Sequence, residues 1–238
     1  MNKKIIEILK VFVVSIFGGL FAQQMVWPLL LQSPLFSQYK QDDAPIYMTE
    51  LKEVFIQENT ALEVAIEQVE GSVIGIRTIT EANSVLEGSG LIVTSDGLAV
   101  ILAELVPLGS DFSVYIDNSL VSAQVLKRDL TENLALIKID QNNLSTVSFV
   151  DADKIKLGER VFLLGVTFKD GEVNKMVNEG SVRFLNEDLI ETNMFDGQSS
   201  LGSPLFNIEG KFLGLNFLNV DGRIITLPIG KIKTFTGF

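Results

Sequence analysis

The chain has 238 residues, 47% of them hydrophobic, and its 19 basic and 30 acidic residues give a formal charge of −11. It holds no histidine and no cysteine, which excludes Cys- or His-type zinc sites, disulfides, a cysteine nucleophile, haem attachment, and imidazole as general base. The acidic balance argues against nucleic acid as a partner, because that partner needs a basic face.

In chain order, no charged residue occurs from Val11 to Tyr39. The most apolar part, Val11 to Leu31, has about the 20 residues needed to cross a hydrocarbon core. Lys3, Lys4 and Lys10 precede it with Glu7, and Asp42 and Asp43 follow. This asymmetry predicts an uncleaved anchor with its N-terminus cytoplasmic and the remainder extracytoplasmic. Trp27 suits the far interface, and Leu20-Phe21-Ala22 makes a poor cleavage site for the rival reading, a signal peptide. The whole chain carries −11 and the stretch before the anchor +2, leaving about −13 beyond it. The expected division is 1–31 cytoplasmic N-terminus and anchor, 32–58 stalk, and 59–238 folded domain.

Thr60-x-x-Glu63 is a capping box and predicts a short helix with Leu62, Ala65, Ile66 and Val69 on one face, ended by Gly71. Helical periodicity then almost disappears. Short β-rich runs follow, 72–80, 89–95, 98–102, 113–116, 121–126 and 134–139. A second set covers 161–166, 176–184, 189–192, 204–206, 211–217 and 223–228. Asp96-Gly97, Asp117-Asn118, Asp170-Gly171, Glu209-Gly210 and Asp221-Gly222 punctuate them as turns. Two sets of about six strands predict an all-β domain of two barrels, one over about 72–145 and the other over about 155–238. A short helix is expected from Ile229.

The wording of the sequence goes further. AIEQVEGSVIGI (65–76), GSGLIVTSDGLAV (88–100), DLTENLALIKID (129–140), KLGERVFLLG (156–165) and GKFLGLNF (210–217) resemble, in this order, the HtrA (Deg) family of trypsin-like serine proteases. The resemblance covers roughly 55–235. It implies a chymotrypsin-like double β-barrel with a cleft between the barrels. Many members carry a PDZ domain beyond the second barrel, and none is expected here.

The resemblance also places a catalytic histidine in a T-N-x-H-V-V stretch, where this chain has Glu104. It places an aspartate at the second acid of D-x-x-x-D-L-A-L, where Asn133 follows Asp129. It places the nucleophile in G-N-S-G-G-P-L, where the run Ser199-Ser200-Leu201-Gly202-Ser203-Pro204-Leu205 puts Leu201. The triad-equivalent positions Glu104, Asn133 and Leu201 are therefore expected to be non-catalytic. Ser199, Ser200, Gly202 and Ser203 would form the remnant of the oxyanion and nucleophile loop. A serine hydroxyl is a weak nucleophile until an oriented base takes its proton, and leucine has no hydroxyl. The small-residue turn, an amide donating to a carboxylate at Asn133 and Glu104, and a leucine plug at Leu201 are the bland readings.

A rescued chemistry would need Ser199, Ser200 or Ser203 beside Glu104 as a carboxylate base, or beside a desolvated lysine such as Lys169 or Lys175. Asp151-x-Asp153 lacks the remaining ligands of a calcium loop, and Ser203 stands where a P-loop needs lysine. No metal or cofactor is expected.

The leading expectation is a membrane-anchored pseudoprotease that binds extended or unfolded peptide beside the cleft, or regulates an HtrA-type relative. A homo-oligomer, a trimer by resemblance, is compatible with it. The alternatives are an active serine endopeptidase with a displaced nucleophile and a structural subunit of an envelope complex.

Overall fold

The computed structural model describes residues 3–26, 60–169, 171–195, 197–219 and 223–237. The chain divides into two compact units, Met1–Glu53 and Val54–Phe238.

In the first unit, helix α1 runs over Lys3–Phe21 and continues into a π-helical turn, Ala22–Val26. The expected anchor begins at Val11, yet the helix begins at Lys3. Any 18-residue stretch of α1 therefore includes Lys4, Glu7 and Lys10. No helix among the described residues is long and apolar enough to cross a membrane. The last part of the expected anchor, 27–31 with Trp27, and the stalk, 32–58, lie outside the described residues.

The second unit opens with helix α2 (60–69), which buries Ala65 and Val69 as its spacing predicts. Seven strands follow: β1 Val73–Ile79, β2 Val85–Ile92, β3 Leu98–Leu102, β4 Asp111–Ile116, β5 Ser119–Val121, β6 Ala123–Asp129 and β7 Leu134–Ile139. They form one sheet in the order β5-β4-β1-β2-β3-β7-β6. The central strands are rich in Val, Ile and Leu, and Ile74, Ile76, Leu91, Ile101 and Ile137 are fully buried. Both edges are short or irregular, with β5 three residues long and β6 bulged between Val125 and Lys127, which discourages edge pairing.

The sequence predicts a closed barrel here, and the structure corrects this. No ladder joins β5 to β6, so the sheet is a half-barrel. The connectivity still makes it curl. Only Ser122 separates β5 from β6, so the two edges must meet at that residue. The Ser122 carbonyl accepts from Asp140 N–H at 2.9 Å, on the β7 side of the sheet.

The second set is a closed six-stranded barrel, ordered β10-β13-β12-β11-β8-β9. It comprises β8 Arg160–Lys169, β9 Glu172–Leu185, β10 Ile190–Phe195, β11 Pro204–Asn207, β12 Phe212–Leu218 and β13 Arg223–Pro228. Strand β9 begins four residues before the expected 176. Its partner β8 continues to Lys169 and pairs residue for residue down to Lys169↔Glu172, so cross-strand bonds extend a segment whose own alternation is weak. Phe206 packs between Phe162 and Phe212, with ring centroids 5.5 and 6.0 Å away. Helix α3, Ile229–Thr236, buries Ile229, Ile232 and Phe235. Its Phe235 carbonyl accepts from the Lys127 amine at 2.8 Å, tying the helix to β6.

The half-barrel and the barrel meet along β1, β2 and β8. Gly75 leaves room for Val166 and Phe168, and Tyr115 meets Phe168 edge-on at 5.4 Å. Lys175 on β9 pairs with Asp117 at 2.9 Å and Glu70 at 3.3 Å. Burial disfavours the charged amine, but its bonds to Asp117 and Glu70 outweigh this and hold its pKa above the usual lysine value. A raised folded pKa contributes stability in full below the unfolded value and loses it as pH rises through the folded one. Lys175→Met is therefore expected to lower stability by up to about 1 kcal/mol at neutral pH, with the deficit shrinking above about pH 10.4. Urea unfolding of both proteins across that range measures the difference.

Candidate functional site

The 3-10 turn Ala103–Leu105 follows β3 directly. Its partner is the residue just before β7, Asn133, whose φ of +52° is the left-handed conformation asparagine tolerates better than most residues. Three hydrogen bonds fasten the two. Ala103 N–H donates to Asn133 O at 3.0 Å. Glu104 N–H donates to Asn133 Oδ1 at 3.0 Å, and Asn133 Nδ2 donates to Glu104 Oε1 at 2.7 Å. The amide thus meets a backbone donor with its oxygen and a carboxylate with its nitrogen. The sequence reading of Glu104 and Asn133 as an amide–carboxylate pair matches this geometry. Asp129, four residues earlier, turns away from it and accepts from Thr131 and Glu132 N–H at 2.9 and 3.1 Å.

The Ser199–Ser203 loop begins in a 3-10 turn, Gln198–Ser200. Ser200 is 1% exposed, and its hydroxyl donates to Gly197 O at 2.9 Å. Ser203 is fully buried, with its Oγ 3.5 Å from Ser89 Oγ. Among the described residues, neither hydroxyl has a base as hydrogen-bond partner. Leu201 is half-buried and packs against the core. Gly202 adopts φ +72° and lies so close to the Ser89 carbonyl that a Cβ would collide with it. Its N–H donates to Asn216 O at 2.8 Å, and Asn216 N–H donates to Ser203 O at 2.9 Å. Ser199 is half-buried at the head of this turn.

The two halves of the site touch through Leu105. Its side chain borders Gly88 and Gly202, and Gly88 also borders Leu201 O. Lys175, one lysine considered as a rescuing base, is committed to Glu70 and Asp117 and is more firmly protonated than usual. Lys169 ends β8 exposed to solvent.

Sequence reasoning missed Ser89, Leu105 and Asn216. Ser89 N–H donates to Leu201 O at 2.9 Å, and its hydroxyl accepts from Val166 N–H at 2.7 Å. Asn216 is fully buried, and its Oδ1 accepts from Thr226 Oγ1 at 2.5 Å while its Nδ2 lacks a partner among the described residues. A polar residue inside an otherwise apolar strand, as in GSGLIV or LGLNFL, was the available signal.

Half-barrel, closed barrel, and a small-residue loop facing the end of β3 together define a trypsin-like architecture. Residues 88–215 match the trypsin-like peptidase domain, and the chain belongs to that family. Among its relatives is a protein of Pseudomonas putida strain F1 named "Probable periplasmic serine endoprotease DegP-like", 34% identical over 135 residues. That match covers 54% of this chain and 28% of the relative. Like-named proteins of Rhizobium meliloti and Halomonas elongata are 29% identical over 137 residues and 28% over 138. The chain thus spans under a third of these relatives' length. The crystal structure of the serine endoprotease from Yersinia pestis superposes with a TM-score of 0.66 at 18% identity, over 74% of this chain and 65% of that one. At that identity the likeness establishes the fold.

Asn133→Asp would set a second carboxylate against Glu104 and remove the donor between them. It is expected to cost about 1 kcal/mol at neutral pH, read as a lower midpoint in thermal melts.

Proposed function

We propose that this chain is a membrane-anchored pseudoprotease, a trypsin-like domain that holds extended polypeptide without cleaving it. The observation that carries the reading is the reciprocal pairing of Glu104 and Asn133. These residues stand where the HtrA resemblance puts the base and its orienting acid. Glu104 Oε1 is already taken up by the Asn133 amide, and the sequence holds no imidazole to serve as the base. Leu201 at the nucleophile position offers no hydroxyl. The burial of Ser200 and Ser203 and the bond from Ser200 to Gly197 O speak against a displaced nucleophile.

Peptide binding needs less than catalysis. A strand laid beside the cleft is held by main-chain hydrogen bonds and needs no triad. The DegP-like relatives bear the name of periplasmic endoproteases, which fits an extracytoplasmic domain here. Large apolar side chains surround α1, with Val11, Phe12, Val14 and Phe17 each more than 60% exposed. Such a helix needs an apolar cover, and the uncharged sequence continues past it to Tyr39.

Incubation of the full chain with unfolded casein and a fluorophosphonate probe is expected to give retention of casein without cleavage or labelling. Hydrolysis abolished by Ser200→Ala or Ser203→Ala would overturn the reading in favour of a displaced nucleophile. Separately, the chain is expected to stay with membranes through an alkaline carbonate wash; its release into the supernatant would refute the anchor.

A further inference from the structure

A cavity of about 740 Å³ lies between the turn after β6 and helix α3, apart from the pairing of Glu104 with Asn133. Its volume is in the range of sites that bury large organic groups. Ile155, Leu185, Ile190, Pro228 and Phe235 give it an apolar floor. Asp129, Glu132, Asp153 and Glu187 supply carboxylates at its border, together with Lys127 and Lys231.

Both lysines are already engaged. The Lys127 amine donates to Phe235 O at 2.8 Å and lies 4.5 Å from the centre of the Phe235 ring. Lys231 sits between Glu132 at 2.9 Å and Asp188 at 3.1 Å. Among the described residues, Asp129 accepts only backbone donors, Thr131 and Glu132 N–H. Asp153 and Glu187 form no ion pair among the described residues, and both are exposed. Among the described residues, Asp129, Asp153 and Glu187 on three separate segments therefore border the apolar floor without a hydrogen-bonded or ion-paired cation, with Lys154 near enough to Asp153 to feel its charge.

We propose that this cavity docks a basic peptide segment, with a large apolar side chain on the floor and flanking lysine or arginine side chains at Asp129, Asp153 and Glu187. Separation of the acids over the β6–β7 turn, the 152–154 turn and the β9–β10 turn suits several charges along an extended segment rather than a single amine. Charge argues against a second copy of this chain as the occupant, since each copy carries −11. The inference is independent of peptide holding at the cleft, because it concerns another surface and requires basic flanks.

Gly230 lines the cavity, and a Cβ added there would meet no atom within 4 Å. Gly230→Phe therefore places a bulky ring at the cavity lining without a clash at its Cβ, and Asp153→Lys combined with Glu187→Lys reverses the rim. The test uses the full chain in non-ionic detergent and fluorescein-labelled peptides with the sequences KKLWLKK, EELWLEE and KKGGGKK. Fluorescence anisotropy is expected to show binding of the first, with the other two at least about tenfold weaker. Both variants are expected to weaken the first peptide by about tenfold or more while casein retention stays unchanged. Equal binding of the acidic peptide, or unaltered affinity in the rim variant, would overturn the proposal. Melting curves establish that each variant is folded, and the exposed rim pair decides the matter should Gly230→Phe fail to fold.

Discussion

Ser89 is where the parts of this domain are joined. It sits in a strand of the half-barrel, yet its N–H reaches Leu201 O and its hydroxyl accepts from Val166 N–H of the closed barrel. Its carbonyl presses so closely on Gly202 that only glycine fits there. One buried residue thereby aligns β2, β8 and the Ser199–Ser203 loop. Buried backbone donors and acceptors must find partners, so the loop is held in the one position that satisfies them. The packing of Leu105 against Gly88 and Gly202 then sets the end of β3 beside that loop.

The site built on this junction is closely hydrogen-bonded. Activation of a serine needs a base within hydrogen-bond reach of its hydroxyl. Here the Ser200 and Ser203 hydroxyls are buried, and Glu104 Oε1 accepts from the Asn133 amide. The local hydrogen-bond geometry is that of a clamp between two loops. Its neighbour, the turn from Asp129 to Glu132, faces the other way and contributes carboxylates to a separate cavity. A few residues of chain thus serve two surfaces, one by closing a loop and the other by bordering a cavity with Asp129 and the Lys231-paired Glu132.

Much of this was legible in the sequence. Alternating Val, Ile and Leu runs separated by Asp-Gly and Asn-bearing turns announced short strands, because period-two burial has few other solutions. Most strands arose where those runs lie, while the run expected over 121–126 divides between the end of β5 and the start of β6. The wording of five segments pointed to the trypsin-like class, and the structure has that architecture. The pairing of Glu104 and Asn133 could be anticipated because an amide and a carboxylate have complementary hydrogen-bonding atoms. Closure of the first barrel could not be read. It depends on whether β5 and β6 form a ladder, and both are too short or too irregular at Ser122 for local pattern to decide. The roles of Ser89, Leu105 and Asn216 were equally hidden, since each acts on a segment far away in sequence.

By itself, then, the sequence determined the mostly-β class, the missing imidazole and thiol, the acidic charge and the apolar N-terminal stretch, because these follow from residue type and local spacing. Tertiary structure alone decided which serines are buried, that Leu201 lies half-buried on the core, and that carboxylates from three segments border one cavity. Those are long-range facts. They come from the order in which strands pair and from the requirement that buried polar groups be satisfied, which no window of sequence contains.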